Sequence, residues 1–393
     1  MLSDGIAVMV LAVIAGAQDA EDVADFGEAN LAWLRQFFPL AAGAPAHDFY
    51  LRLTAVLKPD AFELIIRQWI TALREPVELS MVGAHVAFDG QRLRGSMDRA
   101  AKSGGVHMLS AYVVDSGFVA ASAAVSEKSN EIPAMQEMVQ ALDLRGATVT
   151  ADAMHCQRET ALAIADAGAQ YVLQVKGNQP TLLKECEAHF AELARRRRPG
   201  QAPAVVDQHK DVDKGHGRIE TRKVIVSRNI SDIEGAKQWR DLGAVVAVLR
   251  QRTDAISSEE SQEISYFVCS RGLTSAKAIG ALVRNHWAIE NELHHSLDVT
   301  WGSDAHQVRN RNAAENFARL RRFGAGLVTA VVGWGMSAKR VRKGCGWNPD
   351  GLLKVPSGQV IERERLRRVN RKGAKDEVPP SSRRSRNRQT TLT

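Results

Sequence analysis

Cysteine is scarce in this 393-residue chain, and the four that occur (Cys156, Cys186, Cys269 and Cys345) stand far apart. There is no C-x-x-C pair to close a zinc site and no disulfide framework. A reducing cytoplasm suits such a chain best. Long apolar runs are lacking too. "GIAVMVLAVIAGA" near the N-terminus is 13 residues long, short of the roughly 20 that span a bilayer. Asp4 precedes it where a signal peptide carries Lys or Arg, so a buried helix is the better reading and no membrane role is expected. A P-loop is missing as well: "GHGR" at Gly215–Arg218 has neither the strand–loop–helix context nor the lysine.

What is present is a sizeable core, with 45% hydrophobic residues, and a formal charge of +7 that is unevenly spread. Residues 361–393 hold 11 Lys/Arg and 4 Asp/Glu, which accounts for the whole excess, and the remainder is neutral. Within that neutral body, residues 305–343 carry nine Lys/Arg against the single Glu315. A phosphate backbone is the obvious ligand for such zones; a solvated helix and a solubilising tail are the plainer alternatives.

The hydrophobic pattern divides the chain. Residues 1–80 read as a helical region: "DAEDVADFGEANLAWLRQFF" is amphipathic, and "KPDAFELIIRQWITALRE" opens with Pro59 and Asp60 in first-turn positions. From His85, "HVAFDG", "HMLSAYVVDSG" and "FVAASAAVSEKS" form an antiparallel meander. A helix ("NEIPAMQEMVQALDLRG"), a buried strand ("ATVTADAMHC"), a helix ("QRETALAIADAGA") and a strand ("QYVLQVKGN") follow. This order predicts an α/β, ribonuclease-H-like mixed sheet flanked by helices, α+β over the whole chain. A β-rich insertion is expected at about 181–272, with 201–217 read as loop and three strands after it, before helix resumes at "SAKAIGALVRNHWAIENELHHSLDVTW". The expected division is 1–80, helical; 81–345, the sheet domain with its insertion; and 346–393, a basic tail without regular structure.

Two carboxylates stand out. Asp89 ends the first strand of the sheet, in "HVAFDGQRLRGS", and Asp152 lies within the fourth, in "VTADAMHCQ". Those strands are neighbours in a ribonuclease-H-like sheet, and two anions so close resist ionising unless a cation sits between them. Mg²⁺ suits such a pair, because it accepts few protein carboxylates and keeps positions open for water and phosphate. A third acid is expected from a packed helix, where Glu290 borders the apolar stripe Ile289, Leu293 and Leu297. Each has a plainer alternative: a turn aspartate before glycine for Asp89, and a solvated helical glutamate for Glu290. Glu292, Asp298 and Asp304 are fallback candidates, and His286, Glu290 and His294 also stand at zinc-like helical spacing.

Together "FDGQRLRGS", "KSNEI", "DAMHCQ", "VLQVKGNQ" and "RNHWAIENELHHSLDVTW" resemble the H-repeat-associated, ISAs-type branch of the DDE insertion-sequence transposases, from about residue 5 to about 355. The resemblance implies a catalytic triad at Asp89, Asp152 and Glu290. It implies two Mg²⁺ or Mn²⁺ ions, with Asp89 shared between them, and cleavage followed by strand transfer at the terminal inverted repeats of the protein's own element into target DNA. It also implies a homodimer in the active complex, in a bacterial cytoplasm and nucleoid-associated when on DNA. The rival classes are a catalytically inactive DNA-binding remnant and a metal-dependent nuclease without strand transfer. Members of the branch usually begin with a further basic lead-in, whereas this chain starts within the first helix. The wider group often has arginine where this sequence has His286.

Candidate DNA contacts are Lys128, Asn130, Lys176, Asn178, His286, Trp287, Arg309 and Arg311. Lys128, Asn130 and the neighbouring Glu131, and Lys176 to Gln179, follow strands at the edge where the acids gather, where lysine and amide groups can position phosphates. The alternative is a helix cap at Asn130 and turn chemistry at Gly177–Asn178. Trp287 can stack on an unpaired base or belong to the core.

Overall fold

The computed structural model describes residues 2–74, 81–97, 104–125, 130–195, 206–215, 218–254, 257, 259–332, 337–349, 351–352 and 355. Lys128 and residues 356–393 of the basic tail lie outside them. The N-terminal region is helical: α1 (Leu2–Ala15), α2 (Ala20–Ala29), α3 (Leu31–Leu34), α4 (His47–Val56) and α5 (Pro59–Arg74). The apolar run in α1 is an internal helix, with Val8 to Ile14 all at 5% exposure or less. Among the described residues no single helix is long and apolar enough to cross a membrane. The amphipathic stretch expected as one helix is divided at Asn30, whose side-chain amide donates to the Phe26 carbonyl and caps α2.

The α/β part begins with β1 (His85–Arg92), β2 (His107–Val113) and β3 (Phe118–Val125). It continues through α6 (Glu131–Ala141), β4 (Thr148–Ala151), α7 (Arg158–Asp166), β5 (Gln170–Val175) and α8 (Pro180–Arg195). Then come β6 (Val206–Gly215), β7 (Arg218–Ser227), β8 (Leu242–Asp254) and β9 (Glu260–Ser270). Helices α9 (Ala276–Asn285), α10 (His295–Val299), α11 (Arg311–Val332) and α12 (Ala338–Trp347) complete the fold, with a π-helical turn at Ile289–His294. One mixed sheet runs β3-β2-β1-β4-β5-β9-β8-β7-β6. Among the described residues only the β1–β4 and β4–β5 pairs are parallel. Its first five strands have the ribonuclease-H-like order expected from the sequence.

One expectation is corrected here. The segment 201–217 is expected as loop, but Val206–Gly215 is an edge strand paired along its length with β7. Its charged residues hide the strand signal because only one edge is paired and neither side is deeply buried. The β-rich insertion joins the central sheet: β9 pairs antiparallel with β5 and extends it outward.

One hydrophobic cluster joins the N-terminal helices to the sheet, α11 and α12. A smaller one holds α9 on the face of β5, β7, β8 and β9 through Val172, Val224, Val246 and Ile279. The basic stretch 305–343 also departs from expectation. Arg319, Arg321, Arg322 and Arg342 are buried, at 6% exposure or less. Arg319 meets Glu63 (3.4 Å) and Glu315 (3.3 Å), Arg322 donates to Ser110 and Gln91, and Arg342 lies over the Trp301 ring. Four of its nine cations are therefore internal scaffolding rather than a phosphate surface.

Candidate active site

The parallel register of β1 and β4 ends at the pair Phe88↔Ala151. Asp89 and Asp152 are the next residues in each chain segment, so the two carboxylates stand side by side where the parallel pairing ends, at the carboxyl end of β4. Asp89 remains within β1, opposite Ser110 of β2, with its side chain only 14% exposed. Asp152, expected inside a strand, instead follows the short β4 and leads into a 3₁₀ turn, Ala153–His155. Its side chain is 55% exposed, so it avoids the cost of a buried, unpaired carboxylate.

Glu290 comes from the π-helical turn. An extra residue in the helical repeat re-aims the side chains that follow, and such bulges recur at functional sites. Glu290 is exposed, and its carboxylate has no hydrogen-bond or ion-pair partner among the described residues. The fallback acids are all engaged. Glu292 accepts from the Tyr112 hydroxyl (2.8 Å), Asp298 from the Gln91 amide (2.9 Å) and Asp304 from the Arg94 backbone N–H (3.2 Å).

The three acids share one electrostatic environment. Burial, followed by the negative charge of Asp152, pushes the Asp89 carboxyl up to about 7. Glu290 adds to the rise, while the Gly90 N–H (2.8 Å) and His286 oppose it. Asp152 is lowered, chiefly by its hydrogen bond from His286. His286 belongs to a chain that sequence reasoning missed: His85 Nε2 to Thr150 Oγ1 is 2.8 Å, Thr150 Oγ1 to His286 Nδ1 is 2.9 Å, and His286 Nε2 to Asp152 Oδ1 is 3.4 Å. With His286 donating through Nε2, the Thr150 hydroxyl donates to Nδ1 and accepts from His85. The clue lay in strand alternation, since His85 and Asp89, and Thr150 and Asp152, share sheet faces.

The donors fit a divalent cation in kind, as three hard carboxylates whose mutual repulsion a cation would relieve. Among the described residues no three His, Cys, Asp or Glu side chains stand arranged to hold an ion. That holds for Asp89, Asp152 and Glu290 as it does for His286, Glu290 and His294. The two histidines turn to different aspartates, His286 to Asp152 and His294 Nδ1 to Asp89 Oδ2 (3.5 Å).

A groove of about 850 Å³ opens at Asp152 and runs between α9 and the outer half of the sheet. Lys176, Arg222, Arg250, Arg252, Lys277 and Arg284 line it, together with His286 and Trp287. Because side chains alternate along strands, Arg250 and Arg252 of β8 and Arg222 of β7 face the same side. These arginines pair with local carboxylates: Arg252 and Arg222 with Glu220, Arg250 with Glu263, and Arg284 with Asp211 and Asp213.

The remaining expected contacts are scattered. Lys176 is exposed beside Asp152, and Trp287 is 52% exposed. Asn130 accepts from the Ile132 N–H as the α6 cap, and Asn178 donates to the Ala153 carbonyl (2.7 Å), holding the Asp152 turn. Arg309 is exposed, while Arg311 pairs with Glu315 (2.9 Å) on the α11 side of the molecule.

The sequence profile of the family described as "Transposase DDE domain" matches residues 81–325, and a profile of the region associated with that domain matches residues 1–70. "Putative transposase YncI" of Escherichia coli O157:H7 is 34% identical over 347 residues, covering 87% of this chain and 85% of that protein. "H repeat-associated putative transposase YhhI" of Escherichia coli (strain K12) is 33% identical over 332 residues, covering 84% and 85%. A solved piggyBac transposase synaptic complex with hairpin DNA aligns over 97% of this chain and 77% of that one, at 13% identity and a TM-score of 0.34, too distant a likeness to bear on the fold.

Proposed function

The chain belongs to the DDE-domain transposase family, and from that premise we propose that it is a DNA transposase that cuts its element's terminal inverted repeats and joins them to target DNA. One observation carries this reading to particular residues: the parallel register of β1 and β4 ends at Phe88↔Ala151, which sets Asp89 and Asp152 at neighbouring positions of adjacent strands. The charges of Asp152 and, to a smaller degree, Glu290 add to burial in raising the Asp89 carboxyl.

Asp89, Asp152 and Glu290 would hold the divalent ions, Mg²⁺ or Mn²⁺. Such ions, when bound, activate the attacking water or 3′-hydroxyl and stabilise the leaving oxygen. The remaining work belongs to the chain itself. His286 keeps Asp152 ionised and oriented through its hydrogen bond. Lys176 supplies positive charge beside Asp152, where a scissile phosphate approaches. The groove leading away from Asp152 offers Arg222, Arg250, Arg252, Lys277 and Arg284 to a DNA backbone, which exchanges their local carboxylate partners for phosphates. Exposed Trp287 is available to stack on an unpaired base near a cut end. In this reading the protein works as a homodimer in the cytoplasm, on nucleoid DNA.

Incubating purified protein with labelled element ends, target DNA and Mg²⁺ tests the proposal. Cleavage followed by joining is the expected result. Cleavage alone makes the protein a nuclease, and binding without either makes it an inactive remnant.

A further inference from the structure

Behind the three acids lies a buried layer of ionisable side chains with no part in the cleavage chemistry. Glu131, the first residue of α6, sits in sequence among phosphate-facing candidates, yet it turns inward with its side chain 13% exposed. Its Oε1 lies 3.0 Å from His107 Nε2 at the start of β2, and its Oε2 lies 3.5 Å from His155 Nε2 in the turn after Asp152. His155 is fully buried. Burial alone would raise the Glu131 carboxyl, but the two imidazoles beside it bring it down to about 2.

This layer touches every element that carries an acid. Gly90, the residue after Asp89, lies directly against it: a Cβ there would run into the Glu131 carboxylate and the His107 ring. His155 follows Asp152 by three residues, within the same 3₁₀ turn. His294 follows Glu290 by four, faces Asp89 at 3.5 Å, and lies within the fields of Glu131 and His107.

We propose that Glu131 is a positioning residue of the cleavage centre, tying the Asp152 turn to β2 through His155 and His107 and thereby fixing the spacing of Asp152 from Asp89 across Gly90. The inference rests on the reading of those aspartates as the cleavage centre. Groups that hold metal-binding side chains in place commonly change metal affinity or activity by about 10- to 100-fold when altered, and an effect of that size is expected here.

Glu131→Gln keeps the shape and removes the charge. In the full-length protein, cleavage of labelled ends should show kcat lowered at least about tenfold with KM for DNA unchanged. Mn²⁺ titration followed by electron paramagnetic resonance should show binding weakened several-fold. Glu131→Asp, which keeps the charge on a shorter arm, should recover part of both, and Gly90→Ala should reproduce the loss by crowding the same layer. A Glu131→Gln protein with wild-type kcat and wild-type Mn²⁺ binding, where Asp89→Ala abolishes cleavage, overturns the inference. So does a loss confined to melting temperature, with kcat per folded molecule unchanged, since that marks a purely structural ion triplet. Wild-type cleavage by Asp89→Ala overturns the premise itself and the inference with it.

Discussion

Helix α11 carries Arg319, Arg321 and Arg322 within four residues, and all three are buried. Strands β7 and β8 carry Arg222, Arg250 and Arg252 at alternate positions, and these line an open groove that begins at Asp152. Along the sequence the first set is the more conspicuous, yet it faces Glu63, Glu315, Ser110 and Gln91 inside the protein. The second set is diluted by acids and apolar residues in the sequence, but strand alternation gathers it on one face. Local charge density thus says little about where a polyanion binds; the periodicity of the element that carries the charge says more.

The contrast can be broken at either end. Arg319→Ala takes the shared cation from buried Glu63 and Glu315, which keep only the more exposed Arg67 and Arg311, and removing one partner of a buried pair costs up to about 3–5 kcal/mol. Urea unfolding should show that loss, while the salt dependence of DNA binding stays as in the wild type. A changed salt slope would mean that α11 also meets phosphate.

The acids sharpen the same distinction between buried and open charge. The folded Asp89 carboxyl is raised from 3.8 to about 7. Its contribution to stability is therefore present below pH 3.8 and is lost as pH rises through 7. In metal-free buffer the wild type should weaken over that window, and Asp89→Asn should not. The variant should exceed the wild type by up to about 4 kcal/mol at pH 8, with the gap closing towards pH 4. Urea midpoints measured across that range check this, and parallel curves for the two proteins would contradict it.

The groove should give the smallest stability effect. Arg250 and Arg252 pair with acids on a partly exposed sheet face, where ion pairs contribute about 0–1 kcal/mol. The double variant Arg250→Ala/Arg252→Ala should therefore melt close to the wild type. Its DNA affinity should fall, with the salt slope flattened by about 0.9 for each phosphate no longer neutralised. Filter binding across a salt series reads both, and an unchanged slope removes these arginines from the DNA path.

Much of this architecture was legible in the sequence. Strands with apolar alternation or continuous apolar runs, from β1 to β5 and from β7 to β9, announced themselves, and the ribonuclease-H-like order expected from them makes β1 and β4 neighbours, as they are. Strand β6 was illegible because "VDQHKDVDKG" has almost no apolar face to reveal. The end of β4 at Ala151 was hidden because "ADAMHC" continues the apolar run into a 3₁₀ turn. The π-helical turn at Ile289–His294 leaves no trace in a periodicity read at 3.6 residues. The Glu131 layer depends on contacts between residues far apart in sequence, which no local pattern encodes.

The proposed cleavage centre requires Asp89, Asp152 and Glu290 to act together beside β1 and β4. Single-turnover cleavage of a labelled element end in Mg²⁺ tests this most directly when the wild type is compared with Asp89→Ala, Asp152→Ala, Glu290→Ala and, as a control, Glu292→Gln, whose carboxylate already serves Tyr112. The three alanine variants should bind the end and leave it uncut, while Glu292→Gln still cleaves; cleavage at the wild-type rate by Asp89→Ala or Asp152→Ala would contradict the assignment.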